Sequence, residues 1–542
     1  FIDSHIHFID GSIGLNQVNL VDVKDTLSLK YKIEETIGNR LDEVYVARDL
    51  SSTAMKGITN PLEFLNLINP KIPIIIFLKS GHAAIANSAG MYKLGFNEKT
   101  KITYGSIGLD ETGKLDGWLM EAAAMEALKN IGENYNSTTL EKAILTGQEL
   151  ALSYGITTIG DNTFSPYNMK IYQSMQRDGN LKLRIWTRSY GRIPQTTQLM
   201  EPMGQKKLGF IGPKNDFARV HYHLSKLFTD MSLSIPKDVS GEIEPGGEVY
   251  LGKEEIENYL LLNPETTFAF HVQGKQGLQN IIDALTDIGD RNNKRRHVID
   301  HAGYCAEKQL QQLRYLGMSV TILASQTFDY PELIKEYNNN NVNLIENDFL
   351  NVRQKFNILK GALTSDFPYG MDTSFIQYQN VDGLNPLANI AINTTGIFPD
   401  SSKINGFENK TISVSEAIQS YTTNGAFVLG EENFLGKISK GYAADFLVLN
   451  HNIPFTNPMD LYKMEVLQTY IAGEKVYDRL NPINPLHLDD VITPYDYTVS
   501  PLFGYDPTVD FIFGGAGFVF PLKKPSNYGE LQIMASSSGN FN

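Results

Sequence analysis

The sequence lacks most features of a disulfide-linked, membrane-spanning or nucleotide-binding protein. Cys305 is the single cysteine among 542 residues, so no disulfide can form within the chain. No apolar run approaches the roughly 18 to 20 residues of a membrane-spanning helix. There is no Walker A loop and no Gly-rich dinucleotide fingerprint. The Gly-x-Ser-x-Gly elbow that would carry a nucleophilic serine is absent too. The sequence therefore disfavours serine-hydrolase and nucleotide-dependent chemistry.

Positive charge is also scarce. The 47 Lys and Arg residues are outnumbered by 61 Asp and Glu residues, and the net charge is −14. This balance argues against nucleic acid or an anionic membrane as a partner, and leaves a small-molecule substrate as the expectation. The single cysteine is compatible with the cytoplasm, which we favour although the sequence does not determine the compartment. Because the chain opens at Phe1 inside a candidate strand, we expect the natural protein to carry residues upstream.

Short β-branched apolar runs recur along the chain, and helical patterns lie between many of them. Eight strands that alternate with helices predict an α/β fold, a parallel (β/α)8 TIM barrel. The predicted helices include Lys253–Leu262, Gln276–Ile288 and Ala306–Leu316. The predicted strands are Phe1–His7, Ile156–Asp161, Leu183–Arg188, Val220–Phe228, Thr267–His271, His297–His301, Ser319–Ala324 and Leu359–Asp366.

The spacing of these strands predicts further subdomains. Residues 1–8 form the first barrel strand, residues 9–150 a large insertion over the active-site mouth, and residues 151–405 the rest of the barrel. The insertion has strand-like runs at Val44–Arg48 and Ile72–Leu78 and a helical run at Met120–Lys129. Residues 406–480 form a closing helix, at Ser415–Leu429, and a small β subdomain. Residues 481–542 form a C-terminal extension rich in Pro, Gly and aromatic residues.

Histidines and one aspartate end several predicted strands. In "DSHIH", His5 and His7 are two positions apart, so their side chains face the same side of a strand. His271, His301 and Asp366 each end another strand, and the C-terminal ends of parallel barrel strands meet at one mouth. Taken alone, a His-x-His pair is more often two surface or core histidines in a strand than a metal site. Together, the five residues predict a site for zinc or a similar divalent metal.

Motifs along the chain resemble those of the amidohydrolase superfamily. "FIDSHIHF" is similar to the opening strand of that superfamily, and "SKGYAADFLVL" to its closing signature. The resemblance is narrower for the YtcJ-like branch, or amidohydrolase 3 family, and it spans residues 1 to about 480 in matching order. Five segments resemble motifs of this branch: "SGHAAIANSAG" (80–90), "GWLMEAA" (117–123), "SKLFTDMSL" (225–233), "RHVIDHA" (296–302) and "SYTTNGAFVLG" (420–430).

The resemblance implies a site for one or two metal ions, zinc being the expected metal. It implies that His5, His7 and Asp366 bind the more buried ion and that His271 and His301 bind a second.

It also implies that Lys226 is a carboxylated lysine bridging the two ions. A free ammonium group donates hydrogen bonds but cannot ligate a metal, whereas a carbamate offers two oxygens. The alternative for Lys226 is an unmodified lysine that ends a strand beside an acid. Glu121 is a rival metal ligand, or a residue that only shapes the lid.

Two residues are expected to act in catalysis. Asp366 would accept a proton from water and pass it to a leaving nitrogen, and His82 would contact the substrate or stabilise an oxyanion. A hydrogen-bonded lid histidine is the alternative for His82. Asp161 is a weaker candidate at the mouth, while three histidines are expected to be structural, namely His221, His223 and His297.

Three places depart from the family pattern: Met231 replaces a usual Gly, Asp300 replaces a common Glu, and Val272–Lys275 differs from Ala-Ile-Gly-Asp. Because of these departures, the resemblance does not identify the substrate class. We expect metal-dependent hydrolysis of a C–N bond, of amide or N-acyl type, in a small organic molecule. The alternatives are a ligand-binding protein on the same scaffold, or a metal enzyme for ester hydrolysis, isomerisation or decarboxylation. A homodimer is a further expectation.

Overall fold

The structure is a computed structural model of the chain. It describes residues 1–38, 44–162, 170–190, 220–230, 249–290, 292–328, 330–331, 334, 352, 359–369, 383–453 and 456–481. The predicted C-terminal extension beyond residue 481 lies outside these residues, as do residues 231–248. Within the described ranges, no helix combines the length and the apolar character needed to cross a bilayer.

The described strands alternate with helices over most of the chain. In chain order the strands are β1 (Ile2–Ile6), β2 (Val18–Asn19), β3 (Tyr45–Leu50), β4 (Ile74–Leu78), β5 (Ala83–Ala86), β6 (Gly105–Leu109), β7 (Leu115–Glu121), β8 (Thr158–Asp161), β9 (Arg184–Tyr190), β10 (Val220–Phe228), β11 (Phe268–Val272), β12 (Val298–His301), β13 (Ser319–Leu323), β14 (Ala362–Thr364), β15 (Phe446–Leu449), β16 (Val466–Ile471) and β17 (Glu474–Asp478).

The α-helices of the same residues are mostly short. They are α1 (Phe8–Gly14), α2 (Thr26–Ile37), α3 (Pro61–Ile68), α4 (Ser88–Leu94), α5 (Ala122–Glu133), α6 (Ser137–Ser153), α7 (Lys170–Arg177), α8 (Lys253–Leu262), α9 (Lys275–Asp287), α10 (Glu307–Leu316), α11 (Pro386–Thr395), α12 (Val414–Ser420) and α13 (Thr423–Val428).

Eight parallel strands form the barrel. β1 pairs with β8, and β8 to β14 follow one another in order, so the sheet runs β1-β8-β9-β10-β11-β12-β13-β14. Two backbone hydrogen bonds join its ends: the Asp366 N–H donates to the His5 carbonyl at 3.1 Å, and the His7 N–H to the Phe367 carbonyl at 2.8 Å. The predicted (β/α)8 barrel is confirmed, and every predicted barrel strand overlaps an observed one.

Burial explains why these segments form a barrel. All residues of β1, β11 and β13 are buried, as expected for strands covered on one face by helices and on the other by the barrel interior. Helix α9 buries Leu278, Ile281, Ile282 and Leu285, a spacing of three and four residues that places them on one face.

The insertion contains a second sheet, ordered β2-β3-β4-β5-β7-β6, with its own buried clusters. The predicted strand-like runs match β3 and β4. The helical prediction for Met120–Lys129 is wrong at its start, because Met120 and Glu121 belong to β7, which pairs with β5 and β6. Backbone pairing to two neighbours decides the conformation there, and α5 begins only at Ala122.

The region after the barrel differs from the prediction in one detail. The predicted helix Ser415–Leu429 is two helices, α12 and α13, separated at Tyr421 and Thr422; Thr422 has a non-helical backbone with φ −133° and ψ −95°. The three antiparallel strands β15 to β17 then form a small sheet. Arg184 of β9 binds Asp445 beside this sheet through Nε at 2.7 Å and Nη2 at 3.0 Å.

Candidate metal centre

The barrel brings the predicted ligands together at one end. His5 lies in β1 and His7 directly follows it, His271 lies in β11, His301 ends β12, and Asp366 comes two residues after β14. All five residues are buried. Because the strands are parallel, residues separated by hundreds of positions in the chain meet at this mouth.

Asp366 lies at the centre of the cluster. Its Oδ1 lies 3.2 Å from His5 Nε2 and 3.3 Å from His7 Nε2. One ligand atom each of His5, His301 and Asp366 lie within 4.8 Å of one another. Three such atoms at this separation can face a single ion, given small adjustments to ligand distances of about 2.0–2.2 Å.

His271 and His301 carry ring nitrogens that the described protein does not use. Their rings are 4.7 Å apart, and neither Nε2 of His271 nor Nδ1 of His301 has a hydrogen-bond partner although both atoms are buried. Burial lowers the pKa of each ring well below its ordinary value, so both are neutral imidazoles. Buried polar atoms without partners are rare, and a metal ion would satisfy both nitrogens. The residues present therefore fit a divalent metal.

Electrostatics favour the ligating forms of the other members. Burial lowers the pKa of His5 to about 4, so this ring is also neutral near pH 7. Burial by itself would raise the pKa of Asp366, but the facing His5, His7 and His301 rings hold that pKa well below its ordinary value. Neutral imidazoles and one carboxylate are the protonation states that metal binding requires.

The backbone is strained at three residues of the site. His301, Asp366 and Glu121 have φ values of 76°, 54° and 50°, in the left-handed region that non-glycine residues rarely adopt. Such conformations cost about 1–3 kcal/mol each and concentrate at functional sites, where the surrounding structure holds them in place. They turn these side chains away from regular strand geometry.

Lys226 is buried in β10 beside the ligands. Its Nζ forms an ion pair with Asp300 and lies 3.2 Å from His5 Nε2. Burial, more than any neighbouring charge, shifts the pKa of Lys226 below its ordinary value. An unmodified lysine paired with an acid was the alternative to a carboxylated Lys226, and Asp300 is such an acid. Carboxylation of Lys226 stays a prediction.

Glu121 and His82 form a pair from the insertion. Glu121 Oε2 lies 2.6 Å from His82 Nδ1, and the Glu121 N–H donates to the His82 carbonyl at 2.6 Å. Burial acts to lower the pKa of His82, but the Glu121 carboxylate outweighs it and raises that pKa above its ordinary value. The His82 ring lies 5.7 Å from the His271 ring, so this pair reaches the mouth.

A cleft open to solvent lies over the ligands, with about 340 Å³ of atom-free space when the solvent at its mouth is included. Barrel and insertion both contribute to its wall: His7, His271, His301, Asp366 and Lys226 from the barrel, and Ser80, Gly81 and His82 from the insertion, with Met125, Phe228 and Tyr369 as its larger apolar surfaces. The candidate metal ligands thus line one part of the cavity and apolar side chains line another, an arrangement suited to a small organic substrate.

Sequence reasoning missed several residues of the site. Asp300 was noted only as a departure from a pattern, yet its carboxylate contacts His5, Lys226, Arg188 and Thr321. Its position directly before His301 was the available signal. Tyr369, whose ring lies 4.9 Å from His7, follows the predicted strand and carried no signal of its own.

Other candidates have structural partners. Asp161 accepts hydrogen bonds from the Phe8 N–H at 2.7 Å and the Tyr172 hydroxyl at 2.8 Å, so it joins β8 to α1 and α7. His297 Nδ1 accepts the Phe268 N–H at 2.9 Å, below the mouth. The side chains of His221 and His223 lie outside the described part of β10, and Met231 lies outside the described residues.

Comparison with known proteins identifies the class. A sequence model of the Amidohydrolase family matches residues 1–477, and the chain belongs to this family.

The resemblance to the YtcJ-like branch is confirmed by its relatives. The YtcJ protein of Bacillus subtilis (strain 168) is 22% identical over 437 residues, covering 77% of this chain and 76% of its own. The N-substituted formamide deformylase of Arthrobacter pascens is 22% identical, with 88% of each chain covered. Protein LONG AFTER FAR-RED 3 of Arabidopsis thaliana is 23% identical, covering 88% of this chain and 81% of its own.

Solved structures share the fold. An uncharacterized metal-dependent hydrolase from Pyrococcus horikoshii OT3 superposes with a TM-score of 0.61 at 18% identity, over 84% of this chain and 86% of its own. Another from Pyrococcus furiosus has a TM-score of 0.57 at 21% identity, over 82% of this chain and 85% of its own.

Proposed function

We propose that this protein is a metal-dependent hydrolase that cleaves the C–N bond of a small amide or N-acyl compound. The observation that carries the proposal is the set of buried, strand-end ligands: His5, His301 and Asp366 close together, with unused ring nitrogens on His271 and His301. Membership of the amidohydrolase family supports the reaction type. The chain's own residues support the metal.

His5, His7 and Asp366 would hold one ion, and His271 and His301 a second, with a carboxylated Lys226 between them. A divalent ion such as zinc polarises a carbonyl oxygen and lowers the pKa of water toward neutrality.

The other groups of the site would orient the substrate and move protons. Asp366 takes the proton from the attacking water and delivers it to the leaving nitrogen, since its carboxylate is ionised and faces the cavity. His82, whose pKa is raised by the adjacent Glu121 carboxylate, donates a hydrogen bond to the oxygen on which negative charge develops. Glu121 therefore positions and charges His82; we propose this role in place of metal ligation, because its Oε2 is engaged with the ring.

The wall of the cavity bears on substrate class. Phe228, Met125 and Tyr369 supply apolar and aromatic surface. Lys226, the one lysine in the described wall, is paired with Asp300. A neutral amide with an apolar substituent fits such a wall better than a multiply charged substrate does. The formamide deformylase relative acts, by its name, on N-substituted formamides. N-substituted formamides and simple N-acyl amines are the first compounds to screen.

Metal content tests the proposal most directly. Elemental analysis of protein purified without added metal should find one or two equivalents of zinc, iron or manganese per chain. The His5→Ala/His7→Ala variant should lose that metal, whereas the exposed His451→Ala control should retain it. Near two equivalents favours the bridging Lys226 carbamate, and near one favours a single-metal site. No metal in the wild type, and none taken up on incubation, overturns the proposal.

The role of Asp366 has a separate test. Asp366→Asn keeps an oxygen ligand of similar shape but is no longer a carboxylate, so we expect turnover to fall by about 10²–10⁴-fold, the usual contribution of general acid–base catalysis. Turnover on a screened substrate and metal content are measured on the same sample. Full turnover with metal still bound would show that another group moves the proton.

A further inference from the structure

A single buried carboxylate connects several elements beneath the ligands. Asp300, in β12, lies with its Oδ1 3.2 Å from His5 Nδ1 and accepts the Thr321 hydroxyl at 2.5 Å. Arg188 Nη1 donates to both carboxylate oxygens at 3.2 and 3.3 Å, and the Lys226 ammonium forms an ion pair with Oδ2. All five side chains are buried.

These contacts use the acceptor capacity of Asp300. A carboxylate offers about four lone-pair positions, and the His5, Thr321, Arg188 and Lys226 donors already occupy them. Asp300 is therefore unsuited to ligate a metal itself, although it lies beside residues that can. Any effect of Asp300 on metal binding must therefore act through the side chains that it contacts, such as His5 and Lys226.

The contact with His5 determines which ring nitrogen carries the proton. Nδ1 faces Asp300 Oδ1 and lies 3.3 Å from Thr321 Oγ1, whose own hydrogen is donated to Asp300. Both neighbours can only accept from His5, so Nδ1 carries the hydrogen. The lone pair of the neutral ring is then on Nε2, which lies 3.2 Å from Lys226 Nζ, a hydrogen-bond donor, and 3.2 Å from Asp366 Oδ1. In metal sites, a carboxylate on the far nitrogen of a histidine orients the ligand in this way.

Arg188 keeps Asp300 ionised. Its guanidinium is always charged and is buried in β9. Nη1 donates hydrogen bonds to Asp300, while Nε and Nη2 have no hydrogen-bond partner among the described residues. The charge of Arg188 thus has Asp300 as its direct ion-pair partner in the described structure. Thr321 and Arg188, from β13 and β9, fix the carboxylate from two sides.

We propose that Asp300 is the positioning residue of the metal centre: it fixes the Nδ1–H tautomer of His5, whose Nε2 then faces Asp366, and it holds the Lys226 nitrogen at the cavity. This inference rests on the proposed function for the metal, but the tautomer exists without one. A Lys226 carbamate keeps one hydrogen on Nζ, so the same contact with Asp300 can orient either form of the lysine.

The variants must separate positioning from folding. Asp300→Leu alone leaves two buried cations, Arg188 and Lys226, without their ion-pair partner and endangers folding. Asp300→Leu is therefore combined with Arg188→Met, which removes one of the two cations, because replacing a buried ion pair by apolar residues is often tolerated. Asp300→Asn is the conservative variant, since it keeps an acceptor oxygen for His5. Thr364→Val is the matched control: Thr364 is equally buried in β14, but its hydroxyl donates to the Ile322 carbonyl at 3.3 Å.

Two measurements are made on the full chain. In metal-free protein labelled with ¹⁵N-histidine, the His5 signal, assigned by its loss in His5→Gln, should show the Nδ1–H tautomer in the wild type, in Asp300→Asn and in Thr364→Val. The double variant should lose this preference. The dissociation constant for Zn²⁺, measured by chelator competition, should rise by about 10–100-fold in the double variant, less in Asp300→Asn, and not in Thr364→Val.

The outcomes distinguish the two proposals. A wild type that binds no Zn²⁺ overturns the proposed function, while the tautomer measurement still tests the role of Asp300. A double variant that folds, keeps the Nδ1–H tautomer and binds Zn²⁺ like the wild type overturns the role of Asp300 and leaves the proposed function standing. If the double variant fails to fold, Asp300→Asn decides: a dissociation constant for Zn²⁺ equal to that of the wild type overturns the inference.

Discussion

At the scale of single residues, the site depends on charges whose environment changes their protonation. His82 is the clearest case, because burial and the Glu121 carboxylate act on its pKa in opposite directions and Glu121 prevails. The nearby Asp366 carboxylate also raises the pKa of His82, whereas Lys226 lowers it. The imidazolium of His82 is the form that can donate from both ring nitrogens, one to Glu121 and one into the cavity.

Removing the Glu121 charge should lower the pKa of His82. In Glu121→Gln, burial is no longer opposed by an adjacent charge, so His82 should lose its proton at a lower pH than in the wild type. A folded-state pKa above the ordinary value stabilises the protein fully below that ordinary value, and this contribution is lost as pH rises through the folded pKa. The titration of His82, followed by ¹⁵N-histidine NMR and assigned with His82→Asn, measures the shift.

Glu126→Gln is the control for this prediction. Glu126 is also an acid of the insertion, on α5, but it pairs with Lys129 at 3.3 Å. It should leave the His82 titration unchanged. An unaltered His82 pKa in Glu121→Gln would mean that the pair does not control the protonation of this ring.

At the scale of elements, the insertion meets the barrel through a close contact at Gly81. This residue has φ 73°, and a Cβ placed on it would lie 2.5 Å from the Tyr369 ring, which in turn lies against His7. Glycine is needed for two reasons, the backbone conformation and the space. The loop that carries His82 can therefore approach the ligands only with glycine at position 81.

Substitution of Gly81 should cost more than backbone strain alone. Gly81→Ala should lower the free energy of unfolding by about 1–2 kcal/mol for the left-handed conformation, and by about 1–3 kcal/mol more for the clash with Tyr369. Gly113→Ala measures the cost of the left-handed conformation alone, because Gly113 has φ 80° and no atom lies within 4 Å of its Cβ position. Denaturant unfolding compares the two variants. Equal losses would show that Tyr369 moves away freely.

At the scale of the whole molecule, the small sheet β15 to β17 is attached to the barrel by a buried ion pair. Arg184 binds Asp445 through two nitrogens, and Asp445 Oδ1 also accepts the Ala472 N–H at 2.7 Å. A second pair joins the same regions on the surface: Lys182 Nζ lies 3.4 Å from Glu474. The two pairs have similar chain positions but different exposure.

Loss of the buried pair should destabilise the protein far more than loss of the exposed one. Asp445→Ala leaves the Arg184 guanidinium buried without its partner, which should cost about 3–5 kcal/mol of unfolding free energy. Lys182→Ala removes the partner of the solvent-exposed Glu474 and should cost less than about 1 kcal/mol. Denaturant unfolding of both variants checks the comparison. Similar small losses would mean that the small sheet does not depend on Asp445.

Part of this molecule could be predicted from its sequence because the relevant signals are local. Strands that are buried on both faces consist of short runs of apolar residues, so each of the eight barrel strands could be predicted from its own segment of sequence. A polar residue at the end of such a run stands out, which is why His5, His271, His301 and Asp366 were predicted as ligands and do lie together in the structure. Parallel topology does the rest, since it brings strand ends to one mouth.

Only the tertiary structure decided which side chains face one another there. The carboxylate beside Lys226 is Asp300, 74 positions away in the chain, and the partner of Glu121 is His82, 39 positions away. Strand alternation assigns a face but not a partner, and at His301 and Asp366 the left-handed backbone breaks even the alternation. For the same reason Glu121, predicted within a helical run, ends β7: pairing with two neighbouring strands outweighs its local propensity.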